Sequence, residues 1–317
     1  MRHREKSIEK IENWGISYME YITNHNHAQF KYMRSMTAHY SKSFYLSTCL
    51  LPRQKRWATF ALYGFCRYVD NLTDIPGRRS EKEILRELKS LEAELRTAFR
   101  TGESKHPIVG PFISVAEKFN IPQKYPLELI KGVQMDTHIK RYESFDDLYL
   151  FAYRVAGVVG LMMTPILGFK NPEALTYAEK LGVAMQLTNI LRDIREDKEM
   201  DRIYLPLEEI RMFGLDENHF LDEKMSVNFK NLMKYQVDRA HQYYDAANKG
   251  IRMLDRDAQF AIYSASKIYR GILKKIELQN YNPFIGRVYV SQSKKIQILL
   301  SEAVKTKLFP MVVSASD

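Results

Sequence analysis

Residues 186–197 read Gln-Leu-Thr-Asn-Ile-Leu-Arg-Asp-Ile-Arg-Glu-Asp. Wound as a helix, this stretch puts Gln186, Asn189, Asp193 and Asp197 on one stripe, because steps of three and four residues return to the same face. Leu187, Ile190, Leu191 and Ile194 fall mostly off that stripe and can anchor the helix. Two amides followed by two carboxylates supply the hard oxygen donors that a magnesium ion takes. Residues 67–74, Arg-Tyr-Val-Asp-Asn-Leu-Thr-Asp, repeat the spacing, with Arg67, Asp70 and Asp74 on one face. If the two helices face each other, four carboxylates ring one cavity. Like charges that close repel unless cations sit between them. Divalent ions that bind a diphosphate are the natural occupants. The competing reading is four exposed aspartates with no common role.

The elements that would position these groups are all helical. Helices are expected over 31–50, ending at Leu51-Pro52, and over about 53–73, stopping before Pro76-Gly77. An amphipathic, charged helix follows over 80–100, with Leu85, Leu88, Leu91 and Leu95 on its buried side. Further helices are expected near 107–119, 122–140, 145–168 and 172–198, with Pro107, Pro122 and Pro172 marking their starts. The segment 201–206 reads as a loop, followed by helices over 206–213, 222–249, 255–279 and 284–305. Residues 1–25 read as a peripheral amphipathic segment around Ile8, Ile11 and Ile16, and 312–317 as a loose tail. Strand alternation, repeats and low-complexity segments are all missing. The expectation is one all-α domain over residues 1–317.

The 317 residues carry a formal charge of +10. That balance admits nucleic acid, an anionic membrane surface or a phosphorylated substrate. The lysines are spread along the chain and follow no nucleic-acid motif, so nucleic acid is set aside in favour of a phosphorylated substrate and a membrane surface. The first residues, Met-Arg-His-Arg-Glu-Lys, lack an apolar region, so no secretory signal is expected. The longest apolar run, Val155–Phe169, is short for a membrane span and contains Gly157, Gly160, Pro165 and Gly168, so it reads as a buried core helix. Cys49 and Cys66 sit in apolar helical patterns and read as reduced core residues of a cytosolic protein. His25, His27 and His39 lack a matching ligand pair and read as solvated.

Several stretches together resemble the squalene/phytoene synthase family. They are Ser41-Lys42-Ser43-Phe44-Tyr45, Gly64 to Asp70, Tyr153 to Gly160, Gln186 to Asp197, and Arg202-Ile203-Tyr204-Leu205-Pro206, in the family's order over residues 39 to 295. The resemblance implies a class I isoprenoid-synthase fold, a helical bundle around a deep apolar cavity with two aspartate-rich helices at its mouth. It implies a prenyltransferase that joins two prenyl diphosphates head to head through a cyclopropylcarbinyl diphosphate. Two or three magnesium ions would be held by Asp70, Asp74, Asn189, Asp193 and Asp197, acting as Lewis acids on the leaving group. Ser41, Lys42, Arg67, Arg192 and Arg287 would clamp the diphosphate, with Tyr269 as hydroxyl donor. Gln186 would lie near the reacting carbons, and Tyr153 would stabilise a developing cation. Ala156, Gly157 and Gly160 would leave room for a long isoprenoid chain, or else allow close helix packing; both can hold at once.

The chain departs from the family pattern at two positions. Tyr40 precedes Ser-Lys-Ser-Phe where a histidine is common, and Asn71 follows Asp70 where many relatives have a second aspartate. The segment Phe44–Pro52 is similar to phytoene synthases, and the small Thr48 implies depth for a C20 chain. The expected reaction is therefore two geranylgeranyl diphosphates to phytoene, or the C15 counterpart giving squalene or dehydrosqualene. The alternative on the same fold, motivated by Asn71 and Tyr40, is a single-substrate prenyl diphosphate phosphatase or terpene cyclase. A non-enzymatic relative would have little reason to keep both carboxylate pairs. NADPH is not expected to be required. The protein is expected in the cytoplasm, peripheral on the inner membrane face.

Overall fold

A computed structural model describes residues 27–73 and 80–313. The described residues form helices joined by short loops, with two isolated backbone bridges, Arg141 with Ile203 and Phe169 with Leu254, in place of any sheet. In chain order the helices are α1 (His27–Tyr40), α2 (Lys42–Thr48), α3 (Arg53–Asn71), α4 (Glu81–Thr101), α5 (Val109–Lys118) and α6 (Lys124–His138). Next come α7 (Phe145–Ala152), a π turn over Tyr153–Gly157, α8 (Val158–Leu167), α9 (Glu173–Arg192) and α10 (Ile194–Glu199). The last are α11 (Leu207–Met212), α12 (Asn218–Leu221), α13 (Val227–Ile251), α14 (Arg256–Leu278), a 3-10 turn at Pro283–Ile285 and α15 (Gln292–Val313). The expected segment 1–25 falls outside the described residues.

Local chemistry sets many of the boundaries. Ser80 and Glu83 form a reciprocal capping box at the start of α4, and Gly102 ends it in the left-handed conformation. Ser144 and Asp147 do the same for α7. Four helices differ from expectation. The one over 31–50 breaks at Ser41, whose hydroxyl accepts from the Phe44 amide and so starts α2 afresh. The one over 145–168 is continuous but widened by the π turn. The one over 172–198 breaks at Asp193 (φ −104°, ψ 13°). Helix 284–305 starts only at Gln292, because the chain first runs non-helically through Arg287–Ser291, while its far end continues to Val313.

Two apolar cores result. One gathers α1, α3–α6 and α8 around Phe65, Phe112, Leu88 and Met162; the other gathers α7, α9 and α11–α14 around Phe229, Tyr244, Leu187 and Leu273. Helix α9 has its most extensive packing along α13. Phe145 to Leu167 is long and apolar enough to cross a bilayer by composition, yet more than half of it is buried inside the protein, in keeping with a core helix. A polar latch ties the far ends of these helices together. Lys55 Nζ, on α3, donates to the Leu167 carbonyl (2.7 Å), to Asp255 (3.0 Å) and to Asp257 (2.6 Å). Gly168 makes the latch possible. It sits at φ +76°, and a Cβ there would lie 1.9 Å from Asp255 Oδ2.

Candidate active site

Helices α3 and α9 both bring their C-terminal ends to the mouth of one cavity. Asp70 is the second-last residue of α3, and Asp193 is the residue on which α9 ends. A helix C-terminus carries a partial negative charge, so two carboxylates on two such ends make a strongly cation-attracting mouth. Gln186, Asn189 and Arg192 line the same mouth from α9, Arg67 from α3 and Tyr269 from α14. Ser41 and Lys42 line it from the start of α2, and Arg287 from the segment after the 3-10 turn.

The chain's own cations already engage these acids. Arg192 donates to both oxygens of Asp193, at 2.7 and 2.5 Å, and Arg287 approaches the same two oxygens at 2.9 and 3.1 Å. Burial works against the Arg192 charge, but the hydrogen bond and charge of Asp193 outweigh it and hold the guanidinium above its ordinary value. Arg67 stacks over the Tyr40 ring, 4.3 Å from guanidinium carbon to centroid. Tyr40 thus gives Arg67 a face to rest on. His39, read from sequence as solvated, lies at the mouth with its ring edge-on to Tyr40.

Three expected site residues lie elsewhere, and a fourth lies outside the described residues. Asp197 keeps its backbone N–H on the Asp193 carbonyl (2.8 Å), but the break at Asp193 takes it off the α9 stripe. It faces a separate water-sized hollow with Lys198, Arg202 and Tyr204. Burial first, and the nearby Asp193 charge second, push its carboxyl up to about 8. Tyr153 and Gly157 do not line the cavity. The wide π turn that contains them disrupts the α-helical register, so the wall is formed by Val155, Ala156, Val159 and Gly160 instead. A Cβ on Gly157 would meet the Tyr153 ring and Glu179, so this glycine serves packing. Asp74 lies outside the described residues. Thr48, expected to deepen the cavity, is buried away from it, and Phe44 of the same helix lines it.

The cavity holds about 840 Å³, in the upper part of the range for small-molecule sites. Below the mouth its walls are largely apolar, with Ala156, Gly160, Ala178 and Gly182 set among larger groups such as Met163, Leu181 and Ile268. Gly160 and Gly182 line it while also letting α8 and α9 touch backbone to backbone. A Cβ at Gly160 would be 2.3 Å from the Ala178 carbonyl oxygen, and one at Gly182 would be 2.2 Å from that of Ala156. Gly160 therefore both packs closely against α9 and lines the cavity.

Three neighbours of the site carried no readable signal. Lys295, on α15, is 7% exposed and lines the cavity; burial and then the Lys42 charge lower its pKa. Tyr63 lines the cavity one turn before Arg67, and burial, then Tyr269, raise its pKa. Asp136, on α6, accepts from the Tyr204 hydroxyl (2.5 Å) and pairs with Arg202 (3.3 Å), next to Asp197. A lone acid in a helix gives no spacing to read.

Whether these residues suit a divalent ion can be judged from their chemistry. The acids at the mouth and the Asn189 amide offer only oxygen, which suits magnesium better than a soft metal. Among the described residues no three His, Cys, Asp or Glu side chains converge as a ready ligand cage. The set fits the kind of site magnesium favours, one or two carboxylates with substrate phosphate completing the shell.

A family model described as squalene/phytoene synthase matches residues 37–294. The chain is 38% identical over 282 residues to the 15-cis-phytoene synthase of Synechocystis sp., covering 85% of this chain and 83% of that one. It is 36% identical over 275 residues to the 15-cis-phytoene synthase of Synechococcus elongatus, covering 83% and 88%. Among solved structures, a dehydrosqualene synthase in complex with ligand matches with a TM-score of 0.82 at 31% identity, covering 89% of this chain and 98% of that one.

Proposed function

Because the chain belongs to the squalene/phytoene synthase family, we propose that it joins two prenyl diphosphates head to head, taking geranylgeranyl diphosphate and releasing phytoene. The observation that carries this reading is the polarity of one cavity. Two acidic helix ends and a set of arginines stand at its mouth, and an apolar, small-residue trough runs away beneath them. A molecule with a diphosphate head and a long hydrocarbon tail matches both halves.

Magnesium, bound at the mouth, would supply Lewis-acid neutralisation of the departing diphosphate. Asp70, Asn189 and Asp193 would hold it, with Asp74 and Asp197 from the same two motifs. The remaining work falls to side chains of the chain itself. Arg67, Arg192 and Arg287 stand where a diphosphate would enter, and their charges would stabilise it more as it leaves than when it is bound as an ester. Lys42 and Lys295 add two further cations on the α2 and α15 side, and Ser41 and Tyr269 offer hydroxyl donors. Gln186 lines the cavity one turn below Asn189 and would lie beside the carbons that react. Ala156, Val159 and Leu181 offer no nucleophile, so an allylic cation held against them is not quenched. The coupling closes by loss of a proton, so no nicotinamide is needed. The net positive charge and an oily product suit loose attachment to an anionic membrane surface.

The test is product analysis. Purified protein with magnesium and geranylgeranyl diphosphate should yield an extractable C40 hydrocarbon. A C30 product from farnesyl diphosphate alone would move the assignment to the C15 branch. A product with one prenyl unit, alcohol or cyclic, would replace coupling with the single-substrate alternative.

A further inference from the structure

Between the mouth of the cavity and its far end, the wall that α9 contributes carries one ring. Helix α9 faces the cavity at steps of three and four residues, from Asp193 down through Gln186 and Gly182 to Tyr177. Sixteen residues separate Asp193 from Tyr177, about 24 Å along the axis at 1.5 Å per residue. Helix α8 runs the opposite way, and because its Gly160 lies against Ala178, its last turn reaches past the level of Tyr177. It is joined to α9 by the short segment 168–172, and its last residue, Leu167, lines the cavity beside Ala174. Through the middle of the trough the walls of α8 and α9 are alanine, glycine and flexible aliphatic groups. Tyr177 is the first bulky ring that a chain descending along α9 meets.

That ring is held in place by a glycine on another helix. A Cβ on Gly250, in α13, would lie 2.1 Å from Tyr177 Cβ, 2.5 Å from Cγ and 2.7 Å from Cδ2. Real Cβ atoms do not approach so closely, so any larger residue at 250 must push Tyr177 away. Nearby the Lys55 latch fixes the Leu167 carbonyl to Asp255, and Leu254 completes the wall. Tyr177 is thus a built constriction: a ring set against a glycine, above a floor pinned by hydrogen bonds.

We infer that Tyr177, seated against Gly250, is the gauge that sets the longest prenyl chain this enzyme accepts. The inference rests on the head-to-head reading and adds to it a specificity-determining pair far from the reacting atoms. A stop of this kind acts on which chain is used, not on the chemistry at the mouth. Its signature is therefore a change in the ratio of kcat/KM between chain lengths.

The experiment compares C15, C20 and C25 prenyl diphosphates as substrates of the full chain and of three variants. Tyr177→Ala should raise the C25-to-C20 ratio at least about tenfold, since even one methylene in an apolar pocket discriminates by roughly 10–200-fold. Tyr177→Leu keeps more of the packing and should raise it by less; it decides the matter if the alanine variant does not fold. Gly250→Ala should act oppositely, pushing the ring into the trough and lowering the C20-to-C15 ratio. If the wild-type chain couples C20 but the folded Tyr177 variants leave the C25-to-C20 ratio within twofold, the gauge is wrong and the coupling reading stands. If the wild type couples neither C15 nor C20, the coupling reading falls and takes the gauge with it.

Discussion

The two ends of α9 share one helix face and do opposite jobs. At its C-terminal end, Gln186, Asn189, Arg192 and Asp193 gather charge and hydrogen-bonding capacity. Toward its N-terminal end, Gly182, Ala178 and Ala174 offer almost nothing but space. The mouth depends on which atoms are present, so one oxygen exchanged for one nitrogen matters. The trough depends on how closely backbones approach, so one added methyl matters while its polarity hardly does. If that division is real, substitutions at the two ends should fail in different ways.

The largest effect should come from the mouth. Asp70→Asn or Asp193→Asn should lower turnover by about a thousandfold or more, consistent with the size of single electrostatic contributions at such sites. The thermal midpoint of either variant should stay within a few degrees of wild type. Retained turnover in both would mean the cations bind elsewhere. Next comes Arg287→Ala, which removes one of the two guanidinium groups on Asp193. It should cost about 10- to 100-fold in kcat/KM, since charge-assisted pairs of this kind are the stronger hydrogen bonds. A change below twofold would take Arg287 out of the clamp.

The trough should break through folding instead. Gly182→Val places a branched side chain where even a Cβ is 2.2 Å from the Ala156 carbonyl oxygen. Overpacking of this kind costs about 1–3 kcal/mol or more, read as a lower denaturation midpoint. An unshifted midpoint would show that α8 and α9 can part freely.

Asp197 tests whether the flank of the mouth behaves as a metal partner. Its carboxyl is raised to about 8 by burial and then by Asp193, so the metal-free folded chain holds a proton that the unfolded chain releases above about pH 4. The contribution is therefore unfavourable at higher pH: stability should fall as pH rises from about 4 toward 8. Magnesium should reverse that loss and bind more tightly as pH rises over the same window, because a ligating carboxylate must first lose its proton. A midpoint insensitive to magnesium at pH 8 would remove Asp197 from the metal set. The smallest effect belongs to the latch: Lys55→Met should lower stability by about 1 kcal/mol, its two carboxylate partners being partly solvated, with turnover of C20 reduced less than threefold.

Much of this was readable from spacing. Steps of three and four along 67–70 and 186–193 place Arg67, Asp70, Gln186, Asn189 and Asp193 on cavity-facing stripes without knowledge of any partner helix. Periodicity also identified the buried leucines of α4. Asp197, Tyr153 and Gly157 stand apart from the cavity for local reasons. Asp197 follows a residue at which the backbone turns out of the ideal helix, while Tyr153, named by the family resemblance, and Gly157, named by its spacing from Tyr153, sit in a π turn. Lys295 and Asp136 gave no pattern because each is a single polar residue whose neighbours come from distant parts of the chain.

The sequence by itself determined helices throughout the described residues and the two polar stripes that carry Asp70 and Asp193, with their oxygen chemistry, because these depend on residue type and on a fixed rise and twist per residue. Only the tertiary structure decided that the acids of α3 and α9 meet at helix ends over one trough, that Arg192 and Arg287 share Asp193, and that Tyr177 rests on Gly250. Those relations are set by how helices distant in sequence pack on one another, and packing depends on distances that no local period encodes.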